Sequence, residues 1–336
     1  MGNKIFCISF FTITLSFALS CFITNLVKRI ALKKNWIKKY NNRTIHSEKI
    51  PFGGGIGIYL SFLFSILLNF YFLRQTQKLT LSNFPIYLLI PATLIFIVGL
   101  LDDFKDLRAR YKLISEIFIC ILLFTLGIKI HVPKFFNNQL LNTFFNMFLT
   151  IFWIIFLINA INLIDGIDGL AASITGIASI FLFYFTAFFL NLYEIGLLYL
   201  ILFGSISGFL VYNWHPAKIF MGDSGSLFIG FILSCLAIVV AQESYSIYPF
   251  IFTFLILTIP IIDTSWAIIR RIKNRQGIFT SDKNHIHHKL LNAGFSQRIT
   301  TLILCSFTLL IGIILFLIFS KKLLLIFPDN EGFSFF

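Results

Sequence analysis

Residues 225–242 read GSLFIGFILSCLAIVVAQ and contain no charged side chain. A helix needs about 20 predominantly apolar residues to cross the hydrocarbon core of a bilayer, so this stretch is typical of a transmembrane helix. Nine other stretches have the same character, which predicts an all-α, polytopic membrane protein with about ten transmembrane helices. The ten predicted spans are 5–27, 53–73, 84–101, 113–128, 146–161, 169–190, 195–212, 225–242, 248–268 and 299–320.

The composition supports a membrane protein over the whole chain. Of 336 residues, 58% are hydrophobic and 12% are charged, against roughly 25% charged residues in an average globular protein. These values exclude a soluble enzyme, a disordered chain and a secreted disulfide scaffold, and they favour one integral membrane domain over residues 1–336. The five cysteines lie in apolar stretches without a paired metal-binding spacing, so we interpret them as small buried hydrophobic residues.

The distribution of positive charge predicts the orientation. Segments 28–52, 102–112, 213–224 and 269–298 carry 20 of the 27 Lys and Arg residues. Cytoplasmic loops are enriched in these residues, so this side is predicted to be cytoplasmic and both termini to lie outside. The net charge of +13 is accounted for by these loops and does not indicate nucleic-acid binding. The first apolar stretch is too long for a cleaved signal peptide and predicts a membrane anchor.

Acidic residues and histidines gather on the same predicted side. Of 14 acidic residues, only Glu116 and Asp263 fall within predicted spans. Glu116 is expected close to water, whereas Asp263 is an intramembrane carboxylate, a feature that is costly and usually functional. Arg43 and His46 add basic groups at the mouth of the second span. The sequence predicts a site at the cytoplasmic interface, built from loops 28–52, 102–112, 159–169, 213–226 and 269–298.

The first polar cluster is LLDDFKDLRARYKL, at residues 100–113. On a continuing helix, Asp102 and Asp106 would lie one turn apart on one face. Asp102 and Asp103 repel each other unless a cation holds them, and Mg²⁺ bound to diphosphate oxygens is such a cation. The alternative is a solvated loop in which these acids pair with their basic neighbours, Lys105, Arg108 and Arg110.

The second polar cluster is NAINLIDGIDGLA, at residues 159–171. Its polar side chains recur at every third position, at Asn159, Asn162, Asp165 and Asp168. Neighbours at this spacing stay close together on a helix. Their amide and carboxylate oxygens are hard ligands that suit Mg²⁺, and Gly166 and Gly169 let the backbone approach a ligand. The alternative is a capped helix end between two spans.

The third polar cluster, YNWHPAKIFMGDSGSLFIG at residues 212–230, places Asp223 in a glycine-rich turn before the eighth span. Free backbone N–H groups at a helix start suit anionic oxygens, and Asp223 could hold a metal ion beside them. The alternative is a simple helix cap formed by Asp223 or Ser224.

The fourth polar cluster lies at residues 270–298 and contains His285, His287 and His288. If Asp282 caps a short helix here, the three histidines lie at its positive end, where donors suit phosphate. A zinc site and a plain basic loop are the alternatives. No His-Glu-x-x-His pattern and no neighbouring cysteine supports zinc.

Together these residues resemble a known family, the polyprenyl-phosphate N-acetylhexosamine-1-phosphate transferases of glycosyltransferase family 4. The resemblance extends in order from Arg43 and His46 to His288. Four motifs in order on one predicted face are highly specific together. They are Asp-Asp-x-x-Asp at 102–106, Asn-x-x-Asn-x-x-Asp-Gly-x-Asp-Gly at 159–169, Pro-Ala-Lys-x-Phe-x-Gly-Asp-x-Gly-Ser at 216–226 and His-x-His-His at 285–288.

The resemblance implies a reaction in which a lipid-phosphate oxygen attacks the sugar-bearing phosphate of a UDP-sugar and UMP leaves. It implies Mg²⁺, with Mn²⁺ as an alternative, held by Asp223 and Asn162. It implies catalytic roles for Asp102, Asp103, Asp165 and Asp168. It implies substrate-binding roles for Asn159, Asp106, Arg43, His46, His285, His287 and His288. Direct displacement and a covalent aspartyl intermediate both remain open.

Two residues differ from the pattern of the pentapeptide-transferase branch and indicate another branch of the family. Ile286 interrupts the run of three histidines that is typical of phospho-N-acetylmuramoyl-pentapeptide transferases, and Asp106 resembles the undecaprenyl-phosphate N-acetylglucosaminyl-1-phosphate transferase branch. Both favour a UDP-N-acetylhexosamine donor without a peptide, such as UDP-GlcNAc, UDP-FucNAc or UDP-QuiNAc. The product would prime a cell-envelope polysaccharide such as O-antigen, enterobacterial common antigen or teichoic acid. Pentapeptide transfer in peptidoglycan synthesis is the alternative.

The resemblance also implies a location and partners. The expected location is the bacterial plasma (inner) membrane, with the active site facing the cytoplasm. UDP-sugar and polyprenyl phosphate are the expected partners, and a homodimer is compatible with the family. A secondary transporter is the non-enzyme alternative. Transporters place their substrate site near the bilayer midplane, whereas the acids of this chain gather at one face, which favours the enzyme.

Overall fold

The computed structural model of the protein describes residues 2–37, 50–75, 84–132, 135–277 and 284–326. These residues form twelve α-helices and no β-strand, with one isolated bridge between Ile37 and Pro51. A π-helical turn, Phe185–Phe189, continues α6. The helices are α1 (Gly2–Lys33), α2 (Gly54–Gln75), α3 (Phe84–Lys105), α4 (Ala109–Thr125), α5 (Gln139–Ile164), α6 (Leu170–Tyr184), α7 (Tyr193–Asn213), α8 (Asp223–Ser244), α9 (Tyr248–Ile256), α10 (Thr258–Lys273), α11 (Ile286–Asn292) and α12 (Gln297–Ile326).

Seven helices in the described ranges are long and apolar enough to cross a membrane, namely α1, α3, α5, α6 with its π-helical turn, α7, α8 and α12. Helices α9 and α10 pass the same test together but are bent by 79°, with Leu257 between them. The predicted span over 248–268 is therefore formed by two helices with a sharp bend, and its crossing of the membrane stays a prediction. The other two predicted spans fall on α2, whose apolar part is Gly54–Asn69, and on the 17-residue α4. Ten crossings and outward-facing termini stay predictions.

Helix α8 lies inside the bundle. Every residue from Ser224 to Val240 is buried. This placement fits the sequence, because a helix that is apolar on all sides is stable only when it is surrounded. Its neighbours include α2, α3 and α5. The start of α8 meets the ends of α3 and α5, and this junction positions the polar residues described below.

Helix α1 packs closely along α7. Gly208 of α7 lies directly against the α1 backbone, because a Cβ atom there would be 2.5 Å from the Phe17 carbonyl oxygen and 2.6 Å from Ser20 Cβ. Small residues allow this kind of approach between apolar helices, which otherwise gain little from contact in a membrane. A larger residue at position 208 would therefore push the two helices apart.

We expect Gly208→Ala to lower the thermal midpoint of the purified protein in detergent. Overpacking costs about 1–3 kcal/mol. That exceeds the roughly 0.5–1 kcal/mol by which alanine is favoured over glycine in a helix. Gly176→Ala in α6 is the matched control, since its Cβ would meet Ile206 at an ordinary 3.6 Å. An equal or higher midpoint for Gly208→Ala than for the control would contradict the close packing of α1 on α7.

Candidate active site

The carboxylate of Asp103, near the end of α3, caps the N-terminus of α8. Oδ1 accepts a hydrogen bond from the Asp223 N–H at 2.8 Å. Oδ2 accepts from the Ser224 N–H at 3.1 Å and from the Ser224 hydroxyl at 2.7 Å. Helix starts leave backbone N–H groups without intrahelical partners and carry positive charge, so a buried carboxylate is stable here. Asp103, 4% exposed, thus fixes the position of Asp223.

This cap differs from the two simple caps considered from the sequence. The residue before α8 is Gly222, and no side chain at that position caps the helix. The cap instead comes from another helix, 120 residues earlier in the chain. The interpretation of Asp223 or Ser224 as the cap is therefore wrong, and the Asp223 side chain is directed elsewhere. The predicted catalytic role of Asp103 stays a prediction.

Lys112 lies between the carboxylates of Asp102 and Asp223. Its Nζ is 3.2 Å from Asp102 Oδ2 and also contacts Asp223 Oδ2. Burial opposes the charge on Lys112, but the two carboxylates outweigh it and raise the pKa of the ammonium above its usual value. The Leu107 N–H holds the other oxygen of Asp102 at 2.7 Å. The solvated-loop alternative paired the acids of the first cluster with Lys105, Arg108 and Arg110, and it did not include Lys112.

Glu116 lies one turn beyond Lys112 on α4 and is 1% exposed. The expectation that Glu116 is close to water is therefore wrong. The Glu116 carboxylate interacts electrostatically with Lys112, in addition to Asp102 and Asp223, which contact the ammonium directly. The side chain of Asn159 on α5 lies beside Glu116 and also donates to the Ile155 carbonyl at 2.8 Å.

Asn162, one turn after Asn159, reaches the first turn of α8. Its Nδ2 donates to the Ser226 hydroxyl at 2.8 Å, and that hydroxyl donates to the Gly222 carbonyl at 3.3 Å. These bonds bring Asn162 to the turn that carries Asp223, and its role as a metal ligand stays a prediction. Asp165 is the first residue after α5 and is partly buried.

Asp168 joins the turn after α5 to the loop before α8. Its Oδ2 accepts from the Ala217 N–H at 3.0 Å and lies 2.8 Å from His215 Nδ1. Asn213 makes a second connection, since it accepts from the Gly169 N–H at 3.0 Å and donates to the Ile219 carbonyl at 2.9 Å. The sequence predicted Asp168 but assigned no role to His215 or Asn213.

The three histidines form a cluster at the start of α11. His285 Nδ1 donates to Asp263 Oδ2 at 2.8 Å, and the rings of His287 and His288 are 4.3 Å apart. His287 is 1% exposed and packs over Gly166, where an added Cβ would overlap its ring. Burial, together with the charges of His288 and His285, lowers the pKa of His287 to about 4, so this imidazole is neutral at pH 7.

Asp106 is not brought to the other carboxylates by a helix. Helix α3 ends at Lys105, and Asp106 is exposed with a left-handed φ of 47°. The expected helical continuation through Asp106 is therefore wrong, and its substrate-binding role stays a prediction. Arg43, His46 and Asp282 lie outside the described residues.

Direct contacts connect all four polar clusters of the sequence. Asp103 bonds the start of α8, which joins the first cluster to the third. Asn162 and Asp168 join the second cluster to the third. His287 packs on Gly166, which joins the fourth cluster to the second. Segments that are far apart in the chain therefore form one polar site at the ends of α3 and α5.

We expect Asp103→Asn to lower the thermal midpoint. An amide has one acceptor oxygen and places N–H groups against a donor, so at least one of three bonds to α8 is lost. A buried donor without a partner costs about 1–3 kcal/mol. The same change at exposed Asp106, whose left-handed backbone suits asparagine, is the control and is expected to be silent. Equal midpoints for both variants would show that Asp103 does not hold α8.

Known proteins resemble this chain over most of its length. The family model described as "Glycosyl transferase family 4" matches residues 85–241. A "Probable undecaprenyl-phosphate N-acetylglucosaminyl 1-phosphate transferase" of Bacillus subtilis (strain 168) is 33% identical over 289 residues, which cover 84% of this chain and 77% of the relative. A "Decaprenyl-phosphate N-acetylglucosaminephosphotransferase" of Mycobacterium leprae (strain TN) is 30% identical, with coverages of 88% and 79%.

A third relative, an "Undecaprenyl-phosphate alpha-N-acetylglucosaminyl 1-phosphate transferase" of Salmonella typhi, is 29% identical over 287 residues, which cover 81% of this chain and 74% of the relative. The resemblance drawn from the four motifs is confirmed, and the chain belongs to glycosyl transferase family 4.

Proposed function

We propose that this protein transfers an N-acetylhexosamine-type sugar 1-phosphate from a UDP-sugar to undecaprenyl phosphate or a related polyprenyl phosphate, with release of UMP. The observation that carries the proposal is the junction at the start of α8, where Asp102, Lys112 and Asp223 are held together. The family and the names of the relatives support the same reaction class.

The donor is proposed to be UDP-N-acetylglucosamine or a close N-acetylhexosamine relative. All three relatives described above are named for N-acetylglucosamine phosphate transfer to a polyprenyl phosphate. In the sequence, Ile286 and Asp106 favour the branch of the family that uses a UDP-N-acetylhexosamine donor without a peptide. Transfer of a muramoyl-pentapeptide phosphate is the competing reaction within the family, and the assay below separates the two.

The residues around Lys112 fit a magnesium ion. Asp102 and Asp223 both contact the Lys112 ammonium, so two carboxylates meet one positive charge, and the group retains capacity for a further cation. Mg²⁺ binds through one or two carboxylates, waters and substrate phosphates rather than through a full protein cage. We assign Asp223 as its ligand, with Asn162 and Asp102 beside it, and Mn²⁺ as a substitute ion. Bound there, the ion would neutralise charge on the phosphates.

The proposed reaction mainly requires that the two phosphate groups be aligned and that their negative charge be compensated. An oxygen of the lipid phosphate forms a bond to the sugar-bearing phosphorus, and the bond from that phosphorus to UMP breaks. Lys112 supplies positive charge beside Asp102, where phosphate oxygens of both substrates must approach each other. Neutral His287 and the neighbouring His285 and His288 supply hydrogen bonds without adding repulsion. Such positioning accounts for a large share of the barrier reduction in phosphoryl transfer.

The proposed location is the bacterial plasma membrane, with the site at the cytoplasmic face. The support is the presence of several membrane-length helices, the bacterial relatives, and the 20 of 27 Lys and Arg residues on the loops of that face. On this side a water-soluble UDP-sugar meets a lipid acceptor at the interface. Ten crossings, outward termini and a homodimer belong to the same proposal.

We expect purified protein to release UMP from UDP-N-acetylglucosamine in the presence of undecaprenyl phosphate and Mg²⁺. UDP-N-acetylmuramoyl-pentapeptide is the parallel donor, and it is expected to give no UMP above the background without acceptor. Release with the pentapeptide donor alone would overturn the branch assignment but keep the reaction. No release with either donor from folded protein would count against the reaction with these donors.

We expect Asp223→Asn to reduce UMP release at least about a hundred-fold, because one oxygen acceptor and a negative charge are lost where the cation is proposed to bind. The thermal midpoint should fall less than that of Asp103→Asn, since the cap of α8 uses the backbone of Asp223 and Lys112 keeps its contact with Asp102. Glu243→Gln, a change of the same chemistry at the exposed far end of α8, is the control. Normal turnover by Asp223→Asn would refute the metal assignment.

A further inference from the structure

Asp263 is a buried carboxylate with both oxygens engaged. It lies in α10, the second half of the broken span, and is 4% exposed. Oδ2 accepts from His285 Nδ1 and Oδ1 accepts from the Ile286 N–H, each at 2.8 Å. The two acceptor bonds lead to adjacent residues, so Asp263 holds the start of α11 at two points.

A structural cap does not account for both bonds. The bond to Ile286 satisfies a backbone donor at the start of α11, and a neutral side chain such as serine or asparagine can do the same. A buried carboxylate pays a larger desolvation penalty than a neutral cap and persists only when it is paired. The second bond, to His285 Nδ1, satisfies no backbone group of α11. Its effect is to fix the plane and the tautomer of one imidazole.

The fixed ring has one remaining nitrogen with which it can bind a ligand. Because Nδ1–H donates to Asp263, His285 can bind a substrate only through Nε2. The ring is parallel to that of His287, with an interplanar angle of 3° and centroids 5.7 Å apart. His287 in turn packs on Gly166, within the second polar cluster. Asp263 thus determines how His285 is presented to the polar site.

We propose that Asp263 is a positioning residue for phosphoglycosyl transfer, which holds His285 through Nδ1 so that Nε2 binds a phosphate oxygen of a substrate. The inference rests on the proposed function. The phosphate belongs either to the UDP-sugar or to the polyprenyl phosphate, and separate KM values for the two substrates distinguish these sources. Asp263 itself touches neither substrate in this scheme.

The first test compares steady-state UMP release by the wild type, Asp263→Asn and Thr264→Val in detergent micelles. UDP-N-acetylglucosamine, undecaprenyl phosphate and Mg²⁺ are the reagents. Asp263→Asn is expected to lower kcat/KM roughly 10–100-fold, the range seen when the partner that orients a histidine ligand is removed. Thr264, a buried neighbour on α10 without a hydrogen-bond partner among the described residues, supplies the isosteric control and should keep the wild-type rate.

A double-mutant cycle separates positioning from a structural role. If Asp263 acts only through His285, then Asp263→Asn causes no further loss once His285→Gln is present. Independent, additive losses, or a loss in the single variant that tracks a lower thermal midpoint, would overturn the proposal. Wild-type turnover in the same assay establishes the reaction itself, so failure of the positioning role is distinguishable from failure of the proposed function.

A second variant tests the proposal without any change at Asp263. The amide nitrogen of asparagine occupies nearly the place of Nδ1, so His285→Asn keeps a donor to Asp263 and removes Nε2. We expect this protein to fold with a wild-type thermal midpoint and to lose kcat/KM by at least the factor found for Asp263→Asn. Wild-type kinetics for His285→Asn would show that Nε2 binds no substrate and would overturn the inference.

Discussion

The polar site depends on one interaction, the cap that Asp103 provides to helix α8. Three donors at the start of α8 converge on this single carboxylate. Its effect is geometric as well as energetic. It fixes α8, which carries Asp223, against the end of α3, which carries Asp102 next to Asp103. Two carboxylates of distant segments are thereby brought to the same cation, Lys112, although like charges alone would drive them apart. The bond from Asn162 to the Ser226 hydroxyl holds the same first turn of α8 from a second side.

The loops around this junction are held by a repeated device. Asp168 bonds His215 Nδ1 and the Ala217 N–H, and Asp263 bonds His285 Nδ1 and the Ile286 N–H. In each case one buried carboxylate fixes both an imidazole and the backbone beside it. Loops at a membrane surface lack the ladders of a sheet, so side chains must satisfy and orient their backbone groups. A carboxylate can accept several such bonds: Asp263 uses both of its oxygens, and Asp168 accepts both bonds at Oδ2. This capacity explains why aspartates are frequent in the site.

The sequence predicted the helical class, the regions of the spans and the four clusters, because apolar length and polar spacing are local properties. It did not predict the break at Leu257, although Pro260, in the first turn of α10, has no backbone N–H to bond the preceding turn and is typical of a new helix start. It did not single out Lys112, whose partners lie 10 and 111 residues away. Asp106 was placed on a helix by spacing, but the chain turns left-handed there and the helix ends. The miss at Lys112 concerns a contact between distant segments, which periodicity cannot report, whereas those at Leu257 and Asp106 concern where a helix ends.

The charge balance of the site bears on the proposed binding of an anionic substrate, because the site is rich in acids. Asp103, Asp168 and Asp263 are engaged with helix starts, backbone N–H groups and imidazoles, so much of their charge is compensated within the fold. The carboxylates of Asp102 and Asp223 instead face Lys112, beside the start of α8. A diphosphate would be repelled by them unless further positive charge arrived with it, and a divalent cation bound to the diphosphate brings that charge. Under the proposed function, the excess of acids would make nucleotide binding conditional on a divalent cation, so the donor and the cation would be expected to enter the site together.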